Sequence, residues 1–296
     1  MKTILRSASA WALLALAALP TLAAAQWTRV LDVAADDVFS VIAKNDTLVA
    51  CQDSTIDLST NAGLTWKHST KVATGLNSVS TAVIRNGKVY VGTDRQGVFV
   101  SSNLGDTWTN FSQGLAGLGT FDIAKLIVRG DSMYAATIGG GAWVRNLTAG
   151  AWTKFGTFID AAQGANMTTI AAGGSRLFAA GGFNGSAFYR DPGQADWSET
   201  LIFNRLAAGL AGLSAIWTGH AWVVGSNIGI HHSPTGQVPW TFVDFGLRPI
   251  LFVGFALNDT DLYASLGTGG GSLITLEPRR WRHLAEPRHA GGRVRL

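Results

Sequence analysis

Cysteine is nearly absent from this 296-residue chain: Cys51 stands alone, so no intramolecular disulfide can form. It lies in the apolar run "TLVAC" and reads as a buried, inert thiol. Charge is scarce as well, at 14% of residues, and the formal balance of +4 comes from the two ends. The first 25 residues carry +2, the stretch from Pro278 carries six arginines against Glu286, and residues 26–277 hold 15 basic and 18 acidic side chains. Such a body lacks the clustered basic face that phosphate recognition needs, so nucleic acid is not an expected partner. Long apolar runs are missing too. "WALLALAALP" at 11–20 is about half the roughly 20 residues of a bilayer helix, and no later segment is longer. No membrane span is expected.

That short apolar run follows Lys2 and Arg6 and leads to small residues at Ala23 and Ala25. This is the layout of a secretory signal over 1–25, cut before Gln26, and it predicts a secreted or periplasmic bacterial protein. A lipoprotein anchor would need cysteine where Gln26 stands. At the other end, residues 286–296 form a basic tail expected to be disordered, with contact to an anionic surface as the sharper alternative.

What is abundant is glycine, at 36 residues, and tryptophan, at 11, a composition of short strands and tight turns. Trp27, Trp66, Trp108, Trp152, Trp197, Trp240 and Trp281 recur at spacings of 39 to 45. Each interval repeats one order: an apolar run, a polar turn such as Asn86-Gly87, an alternating run such as "KVYVG", a glycine-rich link, and a third run such as "GVFVSS". Asn and Gly between apolar runs tolerate positive φ and make hairpins, and alternation with a period of two makes strands. A fourth strand is expected to start at each registered tryptophan. A four-stranded unit of about 43 residues cannot bury both faces alone and must stack on neighbours. The fold class is therefore all-β, a single β-propeller over 26–285 with six blades, seven being the alternative. Residues 27–33 are favoured over 281–285 as the strand that completes the last blade.

The segment closing the first two units is nearly identical in both: Ser59-Thr60-Asn61-Ala62-Gly63-Leu64-Thr65-Trp66 and Ser101-Ser102-Asn103-Leu104-Gly105-Asp106-Thr107-Trp108. These resemble the Asp-box, or BNR repeat, with Asn61 and Asn103 in place of the aspartate. The side-chain carbonyl can accept backbone N–H groups across a tight turn, and Gly63 or Gly105 supplies the positive φ. Later copies are eroded, down to Trp152, Trp197, Trp240 and Trp281 with scattered partners. The resemblance implies a propeller in which these boxes are construction, placed away from the face where family members bind ligands. It reaches sialidases, xyloglucan-cleaving glycosidases, sortilin-type receptors and a photosystem assembly factor, and fold does not choose among them.

A sialidase site requires an arginine triad, a tyrosine nucleophile with a glutamate beside it, and an aspartic acid. Tyr90, Tyr134 and Tyr263 share one repeat position, which argues for packing, and the only glutamates are Glu199, Glu277 and Glu286. The Arg-Ile-Pro signature is absent, and "GLRPI" at 246–250 has its proline out of order. No Gly-x-Ser-x-Gly elbow is present, no third ligand accompanies His231-His232 at metal spacing, and the glycine runs "TIGGGAW" and "GTGGGS" open no helix for phosphate. Neither cofactor nor metal nor catalytic residue is assigned. The loops expected on the ligand face carry Asp53, Asp94, Arg95, Asp122, Asp160, Arg205 and Arg248. Any pair of these carboxylates could serve a glycosidase at about 5–9 Å, but spacing singles none out, and each alone is more simply a loop charge or turn cap. Longer apolar loops at 114–121 and 205–213 could line a pocket or meet a partner. The sequence thus points to a binding or scaffolding propeller with a protein or carbohydrate ligand, an exo-acting glycosidase being the alternative.

Overall fold

The computed structural model describes residues 38–115, 122–158, 161–181, 186–202, 212–243, 252–258, 261–266 and 273–276. They form six antiparallel meanders, each running from an inner to an outer strand in chain order. Blade 1 is Ser40–Lys44, Thr47–Cys51, Ile56–Ser59 and Lys67–His68. Blade 2 is Val79–Arg85, Lys88–Thr93, Gly97–Ser101 and Thr109–Asn110. Blade 3 is Asp122–Arg129, Ser132–Ile138, Gly141–Asn146 and Thr153–Lys154. Blade 4 is Met167–Gly173, Arg176–Gly181, Ser186–Arg190 and Ser198–Leu201. Blade 5 is Gly212–Trp217, Trp222–Ser226, Ile230–Ser233 and Thr241–Val243. Blade 6 shows three strands, Phe252–Asn258, Asp261–Leu266 and Leu273–Leu276. One helical turn, Ala161–Ala165, leads into blade 4. The signal segment 1–25, Trp27, the two closing strands 27–33 and 281–285, Trp281 and the basic tail lie outside the described residues.

Each inner strand packs against the inner strand of the next blade, from blade 1 through blade 6. Strands in the middle of a blade are covered on both faces by neighbours, which is why Lys88–Thr93 is buried after its first residue and Trp222–Ser226 throughout. The outer strands of blades 1 to 3, by contrast, are exposed. These outer strands start one residue past the registered tryptophan instead of at it, and in blades 2 to 5 the indole reaches out of its own blade. The indole Nε1 of Trp108 donates to Thr70 O at 3.3 Å, Trp152 to Phe111 O at 2.8 Å, Trp197 to Phe155 O at 2.7 Å and Trp240 to Thr200 Oγ1 at 3.1 Å. Every acceptor belongs to the preceding blade. Trp66 differs, donating within its own box to Gly63 O at 3.0 Å.

The box itself is a closed hydrogen-bond circuit. Asn61 Oδ1 accepts the Thr65 N–H at 2.9 Å and the Ser59 hydroxyl at 2.9 Å, its amide donates to Thr65 Oγ1, and Gly63 N–H returns to Ser59 Oγ at 2.9 Å. Asn103 repeats the same four contacts with Ser101, Gly105 and Thr107. Gly63 and Gly105 have φ of 88° and 86°, and the residues before them, Ala62 and Leu104, are also left-handed at 56°. The neutral amide accepts as well as a carboxylate would and adds a donor.

Blades 2 to 6 share a second irregularity. Their inner strands shift register near the start, at Ser80, Ala124, Thr168, Leu213 and Val253, each of which is the extra residue of a bulge. Such bulges sharpen twist and bend the strand. Ser80 Oγ donates to Gly92 O at 3.1 Å and Thr168 Oγ1 to Ala180 O at 3.0 Å, so these hydroxyls satisfy carbonyls beside the bulge. Blades approach closely here: a Cβ on Gly92 would stand 2.5 Å from Ile123 Cγ2 of blade 3 and 2.7 Å from Thr81 Cγ2. Gly92→Ala is expected to lower stability by about 1–3 kcal/mol through overpacking. An unchanged urea midpoint would show that blades 2 and 3 can part here without loss.

Candidate functional site

Three of the loop residues singled out in the sequence come together at the boundary of blades 2 and 3. Asp94 and Arg95 occupy the hairpin between the second and third strands of blade 2, and Asp122 opens the inner strand of blade 3. Arg95 takes φ of 64°, which turns the hairpin tightly enough for its Nε to sit 3.3 Å from Asp94 Oδ1. The other carboxylate oxygen, Oδ2, accepts the Asn77 amide at 3.0 Å, while Asp94 N–H bonds Ser78 O. Both oxygens of Asp94 are thus engaged. Asp122 is half-buried, and its carboxyl is raised above the usual range, first by burial and then by the Asp94 charge, with Arg95 opposing. Asp53 stands exposed on the corresponding hairpin of blade 1. Asp160, Arg205 and Arg248 lie outside the described residues. Of the two apolar loops, Leu115 is buried in the core of blade 3, and Gly212-Leu213 belong to the inner strand of blade 5 instead of a loop.

Deeper in, the thiol of Cys51 is fully buried, and burial pushes it up to about 12. Lys125, on the inner strand of blade 3, is held below the ordinary amine value by burial, with Cys51 its electrostatic neighbour. It is largely enclosed and only partly exposed. Sequence reading passed over Lys125 because "DIAKLIVR" alternates like any strand with one solvated side. It also missed a polar relay in blade 1: Thr55 Oγ1 donates to Gln52 Oε1, Gln52 Nε2 to Asp57 Oδ2 at 3.0 Å, and Asp57 Oδ1 meets His68 Nδ1 at 2.8 Å. Asp57 pairs across to His68 at the register where blades 2 to 5 place Phe99, Trp143, Phe188 and His231, so a buried carboxylate replaces a ring. His231 and His232 are both buried and both depressed, His231 to about 4. An open cleft of about 400 Å³, bounded by Tyr189, Glu199, Thr200, Leu201, Gln237 and Val238, lies between the outer part of blade 4 and the box hairpin of blade 5. Among the described residues no group of three His, Cys, Asp or Glu side chains could hold a metal.

The arrangement of blades has counterparts among solved structures. YCF48 bound to a D1 peptide matches with a TM-score of 0.64 at 16% identity, covering 84% of this chain and 80% of that one. The extracellular domain assigned to a one-component system of B. thetaiotaomicron gives 0.63 at 14%, covering 83% of this chain and 34% of that one. The GH74 xyloglucanase of Xanthomonas campestris gives 0.61 at 11%, covering 80% of this chain and 44% of that one. The chain folds as a β-propeller. No family model and no curated protein matches it.

In this propeller the Asp-box hairpins join third to fourth strands, and the Asp94–Arg95–Asp122 cluster lies at the opposite ends of the strands, on the face formed by second-to-third strand hairpins. Tyr90 and Tyr134, at one repeat position, each meet a phenylalanine edge to face, Phe111 at 5.2 Å and Phe155 at 5.0 Å, which is a packing arrangement. No helix of the described residues is long and apolar enough to cross a membrane. Chemically, the hairpin face offers one engaged carboxylate, one carboxyl that protonates more readily than usual, and one guanidinium two-thirds exposed.

Proposed function

We propose that this propeller is an exported bacterial binding module that takes an extended segment of a partner protein on the face carrying Asp94, Arg95 and Asp122. The observation that carries the reading is the engagement of both Asp94 oxygens by Arg95 and Asn77. A nucleophile or general base must offer a free lone pair in line with substrate, and Arg95 and Asn77 already take one site on each Asp94 oxygen and fix the direction of those left. A preformed polar rim of fixed side chains is instead what a recognition surface needs. The similarity to YCF48, whose structure holds a D1 peptide, supports a peptide ligand, and the apolar start of the chain supports export.

The second reading is an exo-acting glycoside hydrolase on the same face. Asp122 favours it, since a carboxyl raised by burial beside another carboxylate has the protonation a general acid requires. The signal-cleaved protein should be assayed against fluorogenic glycosides including a sialoside, and panned in parallel against a displayed peptide library. The expected result is no turnover, with peptide enrichment that Arg95→Ala and Asp94→Ala both weaken. Turnover abolished by Asp122→Asn would make this face an active site and sink the binding reading.

A further inference from the structure

In blades 2 to 6 the bulge defines a common level on the inner strand. The residue after it is Thr81, Lys125, Thr169, Ser214 or Gly254, facing Gly92, Ala136, Ala180, Gly225 or Ser265 on the second strand. The partners are all small, and the inner-strand residues are hydroxyls or glycine in every blade but one. Thr81 shows why a hydroxyl suits the position: it is 1% exposed, and its Oγ1 accepts the Leu126 N–H of the next blade at 3.3 Å. Thr169 is likewise 3% exposed. A lysine cannot fit so short a slot. Lys125 is partly exposed, as are Ser214 and Gly254, where Thr81 and Thr169 are sealed, and no carboxylate of the described residues pairs with it. Its electrostatic neighbour, Cys51, belongs to blade 1, and the inner strand of blade 2 lies between blades 1 and 3 around the ring. An amine on blade 3 that senses a thiol on blade 1 reaches past the inner strand of blade 2.

An enclosed ammonium without a counter-charge is costly, and the repeat shows that the fold does not need it there. We infer that Lys125 is an anion subsite in the axial channel, which receives a carboxylate of the bound ligand. Asp122 stands earlier on the same strand, and because Ala124 is bulged it lies two ladder steps away (Ile138 against Ala136), about 7 Å nearer the hairpin face. Together with Asp94 it favours a cationic group at the rim. The two levels therefore fit an extended peptide with a basic residue at the rim and an acidic residue two positions away on the same face, since an extended chain also advances about 7 Å in two residues. This rests on the peptide-binding reading above and names the chemistry of that partner.

The test is competitive acetylation of the whole chain with limiting acetic anhydride, read lysine by lysine by mass spectrometry. Three probes are compared: acetyl-Arg-Ala-Glu-amide, acetyl-Arg-Ala-Gln-amide and succinate. Lys125 is expected to be acetylated, and about tenfold more slowly when the Glu peptide stands roughly ten times above its Kd, while Lys44, Lys67, Lys71, Lys88 and Lys154 are unchanged. The Gln peptide is expected to protect far less. Lys125→Thr, which installs what blades 2 and 4 already use, should keep the wild-type melting temperature and bind both peptides equally. An unreactive Lys125, equal protection by the Glu and Gln peptides, or a Lys125→Thr variant that still prefers the Glu peptide would overturn the inference. Protection by succinate with neither peptide bound would keep the anion subsite and remove the peptide reading.

Discussion

Trp197→Ala is expected to destabilise the propeller by about 3–5 kcal/mol, the range for deleting a fully buried large aromatic. Trp197 is 1% exposed and closes the interface of blades 3 and 4 by three separate means. Its indole N–H donates to Phe155 O at 2.7 Å, its ring stacks on Phe158 at 5.5 Å with an interplanar angle of 11°, and it meets Phe155 edge to face at 6.0 Å. Its backbone N–H also bonds Thr157 O at 2.9 Å. Removing the ring leaves a cavity flanked by Phe158 and Phe188, which rigid strands on both sides cannot collapse. Trp197→Phe separates the contributions, since it keeps a ring and loses the N–H, and should cost only about 1–3 kcal/mol, the penalty of an unpaired buried acceptor. Urea unfolding of both variants measures this. Equal losses would mean that the hydrogen bond, and not the ring, holds the interface.

Acidification supplies the second large effect. His231 is buried on the third strand of blade 5 with Phe242 at 4.9 Å, and burial, reinforced by His232, lowers it from 6.5 to about 4. A folded-state value below the unfolded one means the neutral ring is favoured by folding. Its contribution is fully present above pH about 6.5 and is lost as the pH falls toward about 4, where it amounts to about 3 kcal/mol. His232, lowered by its own burial, adds loss in the same direction. Asp122 works the other way, because its raised carboxyl binds its proton more readily in the folded state. Asp191, lowered chiefly by its hydrogen bond from Arg176, loses its contribution as the pH falls from the ordinary carboxylate value toward its lower folded one. The window between about 6.5 and 4 therefore belongs to the histidine pair. Urea midpoints at pH 7.5 and 4.5 should differ clearly for the wild type and much less for His231→Phe. A wild-type midpoint that does not move would exclude buried neutral histidines.

The blade repeat was legible because its signals are local. Asn86-Gly87, Gly130 and Gly174 mark hairpins by their need for positive φ, and each of the four takes it. The two intact boxes were legible for the same reason, since every bond of their circuit spans no more than four residues. What escaped was non-local. The direction of the tryptophan N–H bonds, toward the blade before, spans 38 to 42 residues and leaves no trace in spacing alone. The clustering of Asp94, Arg95 and Asp122 depends on how blade 2 abuts blade 3, so these three looked no different from Asp53. The relay of Gln52, Asp57 and His68 was hidden because "IDLS" alternates acceptably with the aspartate on either face, and pairing alone decides that Asp57 turns inward.

Each of the tryptophans of blades 2 to 5 reaches back to an acceptor already laid down earlier in the chain. Synthesis from the N-terminus therefore presents every acceptor before its donor, and each new blade latches the one made just before it. Assembly has a direction written into it: at any moment only the newest blade is unlatched, so a chain cut short exposes one loose sheet instead of a row of them.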